Sequence, residues 1–204
     1  MGHAPDDGAS RPRHDPGMAD RISHVPVPMG ATEGDVRISR ALSRLESACA
    51  SRPGFGHACN ASVTTLTEAL RCRTDELGGT IETDLPAALG GDGAGPTPSM
   101  LLRAALGSCL AMGYRLRAAR HGVVFRSIRV VVETDSAIAG MLDRDAVEPA
   151  GFIQTRYLVE ISSDAPREQV AAIVDEADRL SPVLDVVRGV NRPIRTLTIT
   201  DGVG

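Results

Sequence analysis

The sequence predicts an α+β fold, a mostly antiparallel sheet with two main helices. Three observations carry this. Runs of period-two alternation lie on both sides of the middle of the chain, a long capped helix sits between them, and a second amphipathic helix follows the later strands. The elements read in the order hairpin, long helix, two strands, helix, strand. That order lacks the strict strand–helix alternation of a parallel sheet.

In a chain of 204 residues with 42% apolar content, one domain with an appendage is expected. Residues 1–34 are rich in Gly, Pro, Asp and His without apolar periodicity, and are expected to be disordered or loosely attached. Residues 35–60 form a helical N-terminal extension. Asp35 is placed to cap a helix from Val36 to about Ala50, with Ile38, Leu42, Leu45 and Cys49 on one stripe and Cys49 as a core thiol. Arg52-Pro53-Gly54 ends it. The main domain is assigned to residues 61–204.

From Ala61 the period becomes two. Leu66, Leu70 and Cys72 alternate with Thr65, Thr67, Arg71 and Arg73 and read as one strand, with Cys72 packing on its face. Asp75 to Gly79 turns the chain and Thr80 to Leu85 returns it as a hairpin. Pro86 and a Gly-rich loop then lead to the strongest helix signal in the chain. Thr97 suits the N-cap and Pro98 the first helical position, where the missing N–H loses no bond. Arg120 and His121 suit the last turn, and Gly122 ends the helix.

Two strands follow. Ile128, Val130 and Val132 alternate with Ser127, Arg129 and Glu133, and Ile153, Thr155, Tyr157, Val159 and Ile161 alternate with Gln154, Arg156, Glu160 and Ser162. Ser136 to Gly151 reads as a long loop between them. Asp164 is a good N-cap for the second helix, whose buried stripe is Val170, Ile173, Val174, Ala177 and Leu180. Ser181-Pro182 interrupts it, Val183 to Val187 form a short further turn, and Pro193 to Thr200 a last strand through Leu197 and Ile199. There is no internal repeat.

Composition narrows the function classes. Aromatics are 2% with no Trp, all 22 basic residues are arginine, and the net charge is −4. No stacking surface and no basic run marks a nucleic-acid footprint, and any single arginine reads as a solvated surface charge. No window approaches the ~20 apolar residues of a membrane helix. The N-terminus lacks the layout of a secretion signal, so a cytoplasmic location with reduced thiols at Cys49, Cys59, Cys72 and Cys109 is expected. Their spacings hold no CxxC pair, and His57-x-Cys59 is too sparse for a metal site. Neither a metal nor a cofactor is expected.

Chemistry therefore centres on Cys109, in the middle of the long helix. At 100° per residue it shares a face with Leu102, Ala105, Leu106, Met112, Gly113 and Leu116, with Arg103, Ala104, Tyr114 and Arg115 on the far side. Small residues along the helix would let a neighbouring backbone come close, which predicts a buried helix. Cys109 is either a small core hydrophobe or a reactive thiol. About three turns from the N-terminus, it gains little from the helix dipole, so a cation lowering its pKa would have to come from elsewhere.

Leu89-Gly90-Gly91, Gly95-Pro96-Thr97-Pro98, Leu101-Leu102, Ala104-Ala105 and Gly107-Ser108-Cys109, continued by Ser181-Pro182, together resemble the OsmC/Ohr family of thiol-dependent hydroperoxide reductases, as a divergent member. The resemblance covers about Ala61 to Thr200. It implies an intertwined homodimer with buried central helices and sites at the subunit interface. It implies a first cysteine that attacks an organic hydroperoxide, a second that resolves the sulfenic acid as a disulfide, and an external dithiol that recycles it. Cys109 matches the attacking cysteine. The family glutamate falls at Ser99, the resolving cysteine at Ser181, and the family arginine at Arg71 or Arg73. Serine forms no disulfide, so closure between Cys109 and Ser181 is impossible, and Cys59 or Cys72 could resolve only if the fold brings them near. Two functions follow as expectations. One is a one-cysteine peroxidase using an external thiol, and the other is a non-catalytic dimer binding a small apolar ligand at the subunit interface. A purely structural dimer is a third.

Overall fold

The computed structural model describes residues 33–76, 78–143, 145–189 and 193–197. In chain order its elements are α1 (Glu33–Ser51), β1 (Val63–Glu68), β2 (Arg71–Glu76), β3 (Gly79–Thr83), α2 (Pro98–Arg120), β4 (Phe125–Asp135), α3 (Ile138–Leu142), β5 (Gln154–Ser163), α4 (Arg167–Arg179) and α5 (Pro182–Val187). Two antiparallel sheets form, β1-β2-β3 and β4-β5, as expected of the fold class.

The core gathers where α2 and α4 cover one face of the β4–β5 ribbon. Val130 faces Val159, Ile128 faces Ile161 and Val132 faces Tyr157 across the ladder, so the alternation places one apolar row against the helices. Leu106, Leu110, Tyr114 and Ala118 form the buried row of α2, spaced by four residues. Ile173 and Ala177 of α4 and Leu184 of α5 close the cluster. Helices α2 and α4 pack closely at Gly113, where a Cβ would stand in ordinary contact, 3.9 Å, with that of Ala177.

This buried row corrects the expected face of α2 in part, since only Leu106 of the residues placed with Cys109 belongs to it. Tyr114 and Arg115, placed on the far side, are buried, whereas Leu102 and Met112, placed with Cys109, are exposed at 39% and 66%. Helical spacing gives the faces but not which of two apolar faces meets the sheet. The same helix is not buried all round: Met100, Ala104, Ala105 and Ser108 are exposed.

Several element limits also differ. The strand expected from Ala61 through Arg73 is two strands, turned at Ala69-Leu70, with Glu68 opposite Arg71 and Ala69 at φ 45°. A two-residue hairpin turn normally carries Asn or Gly at such a position, and Ala-Leu gives no such signal. The next turn is shorter than Asp75 to Gly79, because the ladder runs on to Glu76 opposite Gly79. The stretch 136–151 contains α3 rather than being loop throughout. Residues 193–197 carry no strand; residues 198–200 of the expected last strand lie outside the described residues, as do residues 1–32 of the N-terminal segment.

Helix α1 begins at Glu33, so Asp35 lies inside its first turn rather than at its cap. The Asp35 carboxylate instead pairs with the buried Arg115 guanidinium, which also donates to the Phe125 carbonyl at 2.8 Å. Glu46 pairs with Arg120 at 3.1 Å, so α1 is tied to α2 near both ends. Ile38 and Leu42 are half-buried, while Leu45 and Cys49 are exposed, which removes Cys49 from any core. At α4, Asp164 makes no cap; it pairs with Arg126, and Pro166 holds the cap position. Leu180 ends α4 55% exposed, outside the buried stripe.

Candidate functional site

The entry to α2 is built by a buried carboxylate. Asp84, 2% exposed, accepts hydrogen bonds from the amides of Leu85 at 2.8 Å, Asp92 at 3.1 Å and Ala94 at 3.1 Å. The amides of Ala94, Leu85 and Asp92, with the Arg71 charge behind them, hold its carboxyl below the usual carboxylate range against the opposing effect of burial. The loop folds so tightly around it that a Cβ at Gly91 would stand 2.0 Å from the Leu85 carbonyl oxygen. One turn of 3-10 helix (Ala87–Leu89) lies within the loop, which delivers Thr97 to the N-cap. There its hydroxyl accepts from the Met100 amide at 3.3 Å, with Pro98 following as expected.

Beside this entry a cleft of about 650 Å³ opens. Leu85 and Leu89 line it from the loop, Leu102 from α2, and Ile138, Met141 and Phe152 from the β4–β5 connection. Ser99, the residue at the family glutamate position, is exposed on the rim of this cleft. From Ser99 to Cys109 is ten residues, about 15 Å along one helix.

Cys109 is half-buried on α2. Its sulfur lies 3.4 Å from the Ser181 hydroxyl, 72 residues later in the chain. Ser181 is 4% exposed and caps α5, accepting from the Leu184 amide at 3.3 Å. The fold thus brings together two of the residues singled out in the sequence, the candidate thiol and the serine at the resolving position.

It does not bring the arginines. Arg71 pairs with Asp92 of the Asp84 loop at 3.4 Å. Arg73 pairs with Asp75 at 3.0 Å and donates to Thr80 at 3.1 Å. Among the described residues no arginine hydrogen-bonds Cys109. All four thiols are free: Cys59 is exposed, and Cys72 is half-buried on β2 between Leu66 and Thr83, so neither is the partner of Cys109. Among the described residues no group of His, Cys, Asp and Glu gathers as a metal site, and no helix is long and apolar enough to cross a membrane.

A polar triad beneath Ser181 escaped the sequence reading. Tyr114 and Tyr157 both donate to Asp178, at 2.7 and 2.8 Å, one to each carboxylate oxygen. Burial, then the Asp178 contact, pushes both phenols up, Tyr157 to about 12. The triad joins α2, β5 and α4 one turn before Ser181 and so fixes where that residue sits.

Fold and site together define an OsmC-like fold, an α+β protein with one thiol held midway along its central helix. Residues 90–194 match the family model described as OsmC-like protein, over half of the chain. The chain belongs to the OsmC-like protein family. Solved structures agree on the fold. An OsmC-like protein from Mycoplasma pneumoniae superposes with a TM-score of 0.55 at 16% identity, covering 65% of this chain and 89% of that one. An OsmC-like protein of unknown function from Vibrio cholerae gives 0.52 at 13% identity, covering 64% and 94%. An organic hydroperoxide resistance protein from Elizabethkingia anophelis gives 0.50 at 16%, covering 67% and 92%. No curated protein is a detectable relative of the chain.

Proposed function

We propose that this protein is a one-cysteine, thiol-dependent reductase of organic hydroperoxides, working as a cytoplasmic homodimer. The observation that carries the reading is the pairing of Cys109 with Ser181, a half-exposed thiol whose neighbour at the resolving position holds no sulfur. The Cys109 thiolate attacks the peroxide oxygen distal to the alkyl group. The O–O bond breaks, the alkoxide leaves and takes a proton as alcohol, and the sulfur becomes a sulfenic acid. One thiol of an external dithiol then forms a mixed disulfide with release of water. Its second thiol displaces Cys109 and leaves as the cyclic disulfide. The peroxide gains two electrons and the dithiol loses two.

Support for the dimer comes from surfaces that one chain leaves open. The α2 face carrying Met100, Ala104, Ala105, Ser108 and Met112 is exposed, and β1 is exposed along its whole length, with Val63 at 66% and Leu66 at 61%. The ~15 Å between Ser99 and Cys109 along one helix also suits a site completed by a second copy. Arg71 and Arg73, which pair with Asp92 and Asp75 rather than with Cys109 of the same chain, are the arginines proposed to serve a partner's Cys109.

A second reading, binding of a small apolar ligand without turnover, is favoured by the cleft of about 650 Å³ beside Ser99. Peroxide consumption with dithiothreitol, compared between the wild type and Cys109→Ser, separates the two. Turnover that depends on Cys109 supports the reductase, and equal rates sink it.

A further inference from the structure

We infer that Ser181 is a positioning residue for Cys109, its hydroxyl donating to the sulfur and holding it ready as a nucleophile; this rests on the reductase reading above. A serine hydroxyl has one proton to give and two lone pairs to receive with. The Leu184 amide, which can only donate, occupies a lone pair at 3.3 Å. Ser181 is 96% withdrawn from solvent by the 4% exposure of the residue, so its proton has to find a protein acceptor. Among the described residues the one group within reach of Oγ besides that amide is Cys109 Sγ, at 3.4 Å. A thiolate can only accept, so in the reactive state the direction of this bond is settled: Ser181 donates.

The same geometry gives the residue two consequences at the site. A hydrogen bond to the charged form favours that form, which supplies part of the activation that no arginine among the described residues provides. The oxygen at 181 cannot accept the sulfenic acid as a disulfide, so Ser181 supports the attack and leaves the reduction to an external thiol.

The test is peptide-resolved alkylation of Cys109 by iodoacetamide across pH, on the full chain without peroxide, for wild type, Ser181→Ala and Ser181→Thr. The account expects the Ser181→Ala profile to move about one pH unit upward, a tenfold slower reaction at a fixed pH below the midpoint, and Ser181→Thr to return the wild-type profile. Should the alanine chain not fold, Ser181→Gly removes the same hydroxyl with less loss of capping and carries the same expectation. Superimposed wild-type and hydroxyl-free profiles overturn the inference, as does an equal displacement in Ser181→Thr. Peroxide turnover is read separately. Its absence in the wild type would end the reductase reading and leave the alkylation result standing, and unmoved profiles beside intact turnover would end this inference alone.

Discussion

Cys109 and Ser181 stand 3.4 Å apart, sulfur to oxygen, although 72 residues separate them in the chain. The contact is made by packing α4 and α5 against α2, and it puts a hydroxyl where a second sulfur would allow an internal disulfide.

Ser181→Cys is therefore expected to convert the site to a two-cysteine one. On treatment with one equivalent of peroxide, Cys109 and the new thiol should both disappear from thiol titration and return with reductant, because a 3.4 Å contact lies within a rotamer adjustment of the ~2.05 Å disulfide bond. Persistent free thiols at both positions would contradict the placement of α5.

Asp84 holds the loop that starts α2. Asp84→Asn keeps the shape but turns an acceptor pair into one acceptor and one donor facing backbone amides, and a fall in Tm of several degrees is expected in a thermal melt. The sign of the pH effect follows from its lowered pKa. Its contribution is present above the ordinary carboxylate value of about 4 and is lost as pH falls through the still lower folded value. Wild type should lose stability in acid more steeply than Asp84→Asn; parallel acid profiles would contradict this.

The Tyr114–Asp178–Tyr157 triad should respond to base. Both phenols are raised in the folded chain, so their contribution is complete below the ordinary tyrosine value of about 10. It declines as pH rises from there through the folded value, about 12 for Tyr157, since the unfolded state loses its protons first. Asp178→Ala leaves the Tyr114 hydroxyl buried without its acceptor and is expected to cost about 2–3 kcal/mol in urea unfolding, more than Tyr157→Phe.

Asp35→Ala leaves the Arg115 guanidinium, 10% exposed, without its carboxylate, and about 3 kcal/mol of destabilisation is expected. A change below about 0.5 kcal/mol would mean that α1 is held by other contacts.

Much of this architecture was legible in the residues. Thr97-Pro98 and Gly122 bound α2 as chemistry requires, because a cap and a chain reversal are local events. The β4 and β5 alternation was legible for the same reason: period two is written residue by residue. The Ala69-Leu70 turn was not, because the strands on either side force it rather than its own residues. Arg115 was read as a far-side charge, and two tertiary contacts hold it inward, the Asp35 carboxylate of α1 and the Phe125 carbonyl. Asp84 did carry a signal, a carboxylate just before a Gly-rich loop, though three amides converging on it is a tertiary fact. The contact of Cys109 with Ser181 depends on how three helices pack, which no spacing within either segment records.

The most direct test of the account is stopped-flow consumption of cumene hydroperoxide with dithiothreitol by the wild type and by Cys109→Ser. The account predicts saturable turnover in the wild type that Cys109→Ser abolishes, with a transient sulfenic acid on Cys109 alone. Equal rates in the two proteins would contradict it.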